Sequence, residues 1–458
     1  LPVFSNHRGR FACLEGAGGI NDRALITQYA FGFGQITYIA LDLDLPPLSD
    51  WNARPRLLAR LLQPEVDALD TGAGQEGLGQ VTHVGFDDLT GQLRAALDQF
   101  SGVTLVRFSW IAALIVLYII LLGPIDFLLL RKVRRPHWTW FTFPLIVIAF
   151  SALAVGLSRQ WKGEHLKVNQ IDIVDVDVES DTVRGTTWAT IYSPKAVLLD
   201  LGHQPSPAVD GLLHEPNVLM SWQGLPGNGL GGMNSDARVH VLTDEYTISG
   251  ASHSKDSRST KIERLPVPTS STKGLVSRWW ARSKPLQEGL LTTRNGRLIG
   301  TVVNPLNVEL SRCAVYFEGR LFRLKYKLAP GDSVDLEDEF DIESELSLTW
   351  QLTRRELVGS TEVNTTWDRQ DVSDVPRILE MLMFHSAAGG PTYSELSHDY
   401  QGFVDLSEHL LTSRAILLGR TKNPASQFTH DGQSLTEKLD SQWIYYRVVI
   451  PVQRTAAP

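Results

Sequence analysis

The sequence predicts a multidomain membrane protein. It has a partial α/β segment, a two-helix transmembrane hairpin, and a mainly antiparallel β-sandwich region with a few helices. Three observations predict this: two long apolar runs, a short basic loop between them, and a switch to period-two patterning immediately afterwards. The resulting division is residues 1–63 as the C-terminal part of an α/β domain and 64–107 as a linker with a membrane-proximal helix. The first span is 108–130, the cytoplasmic basic loop 131–137, the second span 138–157, and the extracytoplasmic β-rich region 158–458.

The first run extends from Phe108 to Leu130 with one charged residue, Asp126, and the second from Trp138 to Leu157 with none. A spanning helix needs about 20 apolar residues, whereas core helices average about 11–12. Arg131, Lys132, Arg134 and Arg135 crowd the intervening loop, and basic residues beside membrane spans stay cytoplasmic. Both large flanks are therefore expected outside the cytoplasm. Trp110, Trp138, Trp140 and Trp161 mark the four ends, where amphipathic rings favour the headgroup zone. Pro124 predicts a kink, because it removes a backbone donor. Asp126 is an ionisable group within a span, but it lies near the cytoplasmic end, where pairing with Arg131 or Arg134 is expected. Two helices carrying one charge make an anchor, not a transport path.

The upstream segment reads as two strands over residues 24–44 around Gly32-Phe33-Gly34, then a short helix from Pro55 to Leu62, the end of an α/β domain. A helix over about Asp87 to Phe100 is expected to pack on protein, since its polar face lacks the basic enrichment of interfacial helices. Beyond Trp161, strands are predicted at 168–194, Ala196–Leu201, Arg238–Val241, Arg297–Val303, Ala314–Tyr326, Leu346–Leu352 and Trp443–Val452. The Ser/Lys/Arg-rich stretch 248–285 reads as an excursion between strands. Asp374 with Pro376 opens a predicted helix over 374–388, and a helix-like stretch covers Val404–Leu411.

Composition excludes some classes. The formal net charge is −8, from 43 basic and 51 acidic residues, which does not suit a nucleic-acid binder. Mean hydropathy is −0.08, so the apolar excess is concentrated in the two spans. The two cysteines, Cys13 and Cys313, cannot form a disulfide framework or a cysteine zinc site, and both read as buried thiols. The chain opens on Leu1, which reads as a fragment or a processed chain.

Candidate chemistry is thin. Gly227 to Gly232 spells G-x-G-x-x-G, but without the strand and helix that dinucleotide binding requires, and it reads as a loop. Asp172, Asp175, Asp177, Glu179 and Asp181, like the acidic run Asp332–Glu345, lack calcium-loop spacing and are expected on solvated faces. His385, His398, His409 and His430 lack metal-ligand spacing and read as scattered surface histidines. Asn364-Thr365-Thr366 matches a glycosylation acceptor only in a eukaryotic context. No catalytic residue, cofactor, metal or small-molecule ligand is identifiable.

The stretches GFGQITYIALDLDLPPLSDW at 32–51, LLGPIDFLLLRKVRR at 121–135, RGTTWATIYSP at 184–194 and VDLSEHLLTSRAILLGR at 404–420 resemble a family of uncharacterised bacterial envelope proteins. The resemblance implies a flavodoxin-like, class I glutamine-amidotransferase-like extracytoplasmic domain, a two-helix anchor in the inner membrane and a β-rich C-terminal part. It implies no activity, and no residue maps to a catalytic Cys–His pair. The expected function is a non-enzymatic scaffold or binding component that contacts lipid and other envelope proteins. The alternatives are an extracytoplasmic hydrolase with its active site upstream, or an accessory subunit of a transporter.

Overall fold

The computed structural model describes residues 10–14, 23–46, 48–62, 88–103, 108–132, 138–163, 165–223, 247–252, 258–287, 289–294, 297–338, 340–354, 356–358 and 361–454. Three N-terminal strands, β1 (Arg10–Leu14), β2 (Ala24–Phe31) and β3 (Gly34–Ile39), pair as an antiparallel meander. The turn between β2 and β3 falls at Gly32, whose φ of 59° is the left-handed conformation glycine adopts without penalty. Helix α1 (Arg54–Leu62) follows with Pro55 in its first turn, and α2 (Leu89–Leu97) is capped by Asp88, which accepts from Thr90 N–H.

The apolar runs fold as helices. α3 (Phe108–Ile120) passes through one π turn, Leu121–Ile125, into α4 (Asp126–Lys132), so the predicted kink at Pro124 takes the form of a π bulge. α5 (Thr139–Lys162) extends past Leu157. The rings of Tyr118 and Phe150 meet across the two runs, tilted at 44° with centroids 4.8 Å apart. The most apolar 18-residue window within Ser109–Lys132 has a mean hydropathy of 2.6 with 12% of it buried, and Thr139–Gly156 has 1.9 with 0% buried. A core helix of this apolarity would be enclosed; these two helices are long and apolar enough to cross a membrane and are uncovered by protein.

After the hairpin comes a large mixed sheet, of 17 strands among the described residues. Its spine places β4 (Lys167–Asp177) between β5 (Thr182–Ser193) and β22 (Leu439–Arg454). β5 continues to β10 (Ser271–Arg282) and β7 (Asn217–Gln223). On the other side β22 continues to β19 (Arg414–Thr421), β13 (Ser311–Phe317), β14 (Arg320–Leu324) and β16 (Ile342–Ser347). Spine pairings are antiparallel except β4 with β22, so the expected antiparallel sandwich is a mixed sheet. Period-two patterning divides β4 between two cores. Val168, Val174 and Val176 face smaller strand layers, built from β6 (Val197–Pro205) with β9 (Arg258–Val267), and from β11 (Leu291–Arg294) with β12 (Arg297–Val303). Ile171 and Ile173 face the helical layer of α2 and α7 (Val375–Met383). The result is helices, central sheet and second strand layer, with β4 buried on both faces.

Three expectations change. Residues 258–282 are not an excursion: they form β9 and β10, with Trp279 1% exposed and Trp280 44%. The region 314–326 is a hairpin, not one strand, turning through Glu318 and Gly319, both at positive φ as a type I′ turn requires. Leu346–Leu352 ends β16 and opens α6 (Leu348–Thr353), where Ser347 accepts from Trp350 N–H. Helix α2 packs on the β-rich region beside α7 and β5. The predicted strand Arg238–Val241 and the glycine loop 227–232 lie outside the described residues.

Candidate functional site

The acids of β4 are the clearest departure from the sequence reading. Asp172, Asp175 and Asp177 are buried at 1%, 4% and 0% exposure, because the helical layer covers one face of β4 and the second strand layer the other. The exposed disposition expected for them is therefore corrected, whereas Asp332, Asp335, Glu337 and Asp338 are exposed as expected.

Each buried acid has its own counterpart. Asp175 receives Arg447 Nε at 2.6 Å, Arg447 Nη2 at 3.0 Å and Arg184 Nε at 2.9 Å. Burial would push its carboxyl up, but the two guanidiniums outweigh burial and hold it below the usual carboxylate range. Arg447, 0% exposed, also donates to the Val404 carbonyl at 2.6 Å, and Arg184 donates to the Phe403 carbonyl at 2.9 Å. Asp172 has no cation. It accepts from Thr187 Oγ1 at 2.7 Å, Ser426 Oγ at 2.5 Å and Gln170 Nε2 at 2.9 Å, and burial raises its pKa against those bonds.

Beyond the end of β4 the charges form a junction with the N-terminal meander. Arg414 pairs with Glu179 and donates to the Ala30 carbonyl at 2.6 Å. Tyr29 Oη donates to Glu179 at 2.7 Å, and the Phe33 ring lies 4.2 Å from the Arg184 guanidinium carbon. Arg184, Arg414 and Arg447 thus oppose Asp175, Asp177 and Glu179 in one enclosed network that β2 and β3 cap. Its chemistry is that of a clamp: each of the three carboxylates faces a guanidinium or a hydroxyl.

The histidines are also corrected. His385 and His398 are 4% and 8% exposed with rings 5.4 Å apart. His385 Nε2 is 2.9 Å from Ser394 Oγ, but Ser394 is fully buried and its hydroxyl also lies within hydrogen-bonding distance of the Gly390 and Leu396 carbonyls, so it fastens a turn. Burial lowers His398 to about 4 and His409 to about 4. His430 stays at the surface beside Asp431. Cys13 is exposed, against expectation, because β1 leaves it on an uncovered face; Cys313 is buried, which raises its pKa to about 11. Among the described residues no group of three or more His, Cys, Asp or Glu side chains could hold a metal ion.

Of the predicted topology residues, Arg131 and Lys132 are exposed at the end of α4, and Arg134 and Arg135 lie outside the described residues. Asp126 is 7% exposed and makes no ion pair with Arg131; its backbone N–H donates into the π turn, to Leu121 and Gly123.

No family model matches the chain, and no curated protein does. Among solved structures, a two-domain M1 zinc metallopeptidase mutant bound to L-tryptophan is 12% identical over 48% of this chain, with a TM-score of 0.14. The chain spans about half of that structure, covering 54% of it. A likeness at that score carries no argument about fold or activity.

Proposed function

We propose that the chain is a membrane-anchored envelope protein whose β-rich region, together with the N-terminal segment, acts outside the cytoplasm as a scaffold or binding component of an envelope complex. One observation carries the reading. Segments on opposite sides of the apolar hairpin pack together: α2 on α7 and β5, and Tyr29 on Glu179. A hairpin that crosses a bilayer twice leaves both flanks on one side, which this packing requires. The basic residues Arg131, Lys132, Arg134 and Arg135 favour the cytoplasmic side for the loop, and hence the opposite side for the flanks. On the same reading, the N-terminal meander and α1 end a flavodoxin-like, amidotransferase-like domain, the anchor resides in a bacterial inner membrane, and the partners are other envelope proteins, such as an exporter or an assembly machine.

The test has two arms. A reporter active only outside the cytoplasm should be silent when inserted at 131–137 and active after Pro458. Activity of the loop fusion overturns the orientation. Gentle detergent extraction and affinity capture of the intact protein should recover a stoichiometric envelope protein, and repeated recovery of the chain alone overturns the scaffold role.

A further inference from the structure

On the helix-facing side of the central sheet, apolar residues give way to cations on three neighbouring strands. Along β13 the face reads Tyr316, Ala314, Arg312; along β14 and just beyond it, Leu321, Arg323, Lys325; along β19, Leu418, Arg420. The period of two puts these groups on one face, and pairing brings them together, with Ala314 opposite both Arg323 and Leu418. Where α7 and α6 cover the face it is apolar. Where that cover ends, the cations line a cleft of about 410 Å³, floored by Ala314, Leu321 and Leu418.

The charges in the cleft do not cancel. Arg420 pairs with Glu380 at 3.4 Å, and Lys327 at the rim pairs with Glu309 at 2.8 Å. Arg312 and Lys325 make no ion pair with any described carboxylate, and Arg323 meets only the amide oxygen of Gln351, at 3.4 Å. Against those three cations the lining offers one further carboxylate, the exposed Glu343. Two positive charges are therefore in excess. The backbone contributes as well: Arg312 stands at φ 50°, in the irregularity between Ser311 and Ala314 where β13 slips against β19. Bulges of this kind re-aim a side chain, and a non-glycine residue in left-handed conformation is strained.

We propose that this cleft binds a phosphomonoester, a dianionic group that two guanidiniums and one ammonium grip from different strands while the apolar floor receives the adjoining carbon atoms. Two net positive charges match one dianion, and arginine forks suit phosphate oxygens arranged around one centre. A cleft of this volume falls in the range of small-ligand sites. The group could belong to a soluble metabolite or to a lipid headgroup, which share the same chemistry.

The experiment uses the full chain in phosphatidylcholine nanodiscs, titrated with glycerol 3-phosphate by calorimetry. Saturable binding that weakens as salt rises is expected, with affinity reduced at least tenfold in the Arg312→Gln/Lys325→Gln double variant. Both positions are exposed, so circular dichroism should match the parent, and Arg369→Gln, outside the cleft, should bind normally. Repeating the titration in discs that contain phosphatidic acid separates the sources. Loss of glycerol 3-phosphate binding there assigns the cleft to a lipid headgroup; unchanged affinity assigns it to a soluble phosphate. Absence of binding in phosphatidylcholine discs, or equal binding by the double variant, overturns the proposal. The readout does not depend on which side of the membrane the cleft faces or on any protein partner.

Discussion

Asp175 holds one buried and one half-buried guanidinium in balance, and removing its charge should reveal how much the fold depends on it. In Asp175→Asn, Arg447 stays buried and both Arg447 and Arg184 lose their counter-charge, and deleting one partner of a buried ion pair costs about 3–5 kcal/mol. An unfolding free energy reduced by that amount is expected, read as a lowered urea midpoint with the slope unchanged. A loss under about 1 kcal/mol would mean that water already reaches these groups. None of this was legible from the acids themselves. Asp172 to Asp181 alternate as a solvated face does, and Phe403, Arg414 and Arg447, which help to enclose them, lie more than 200 residues away in sequence. The one available signal was phase: valines at 174, 176 and 178 together with isoleucines at 171 and 173 leave a strand no side free for solvent.

Whether an element was legible followed from how local its determinants are. Helix α7 was, because Asp374 caps it and Pro376 opens it within a few residues. At Pro124, where a kink was expected, the helix makes a π turn over Leu121–Ile125. β9 and β10 were missed because their Ser, Lys and Arg residues resemble a loop, and only pairing with β5 and β7 buries the alternate positions of β10, Leu275, Ser277, Trp279 and Ala281. That pairing yields a prediction. Gly185 on β5 stands directly opposite Trp279 on β10, and a Cβ at Gly185 would fall 2.2 Å from the indole ring. Gly185→Ala must therefore displace Trp279 from the core between the strand layers, at an overpacking cost of about 2 kcal/mol. Near-ultraviolet circular dichroism should change together with a lowered urea midpoint. An alanine variant with parental spectrum and stability would show that the ring has room to move.

At the scale of the whole molecule, the hairpin is an insertion into a structure closed without it. The chain leaves the packed region at Ser101 and re-enters at Lys167, and these two points touch. Lys167 Nζ bonds the Ser101 carbonyl and, at 3.1 Å, Asp440, while Ser101 N–H donates to Asp440 at 2.7 Å. Asn169 ties the same seam from the strand side, donating to the Leu97 and Gln99 carbonyls at 2.8 Å each. The two long apolar helices were legible in sequence because length and apolarity are local properties; this seam was not, because it joins α2 to the start of β4 across them. The hairpin itself offers only uncovered apolar surface, with Trp140 85% exposed, Phe141 77% and Ile148 67%, which in water would drive association. Replacing residues 104–164 by a Gly/Ser linker of about ten residues should therefore remove the need for detergent while leaving the three-layer core intact. The expected product is soluble and monomeric by light scattering, with a cooperative urea transition and with slow amide exchange at Leu93, Ala96 and Leu97, the α2 residues that the seam holds against the sheet. Rapid exchange at those three positions in the excised form, with β4 still protected, would show that α2 is held by the membrane anchor and not by the seam. Aggregation despite a folded core would place a further membrane-seeking surface outside the hairpin.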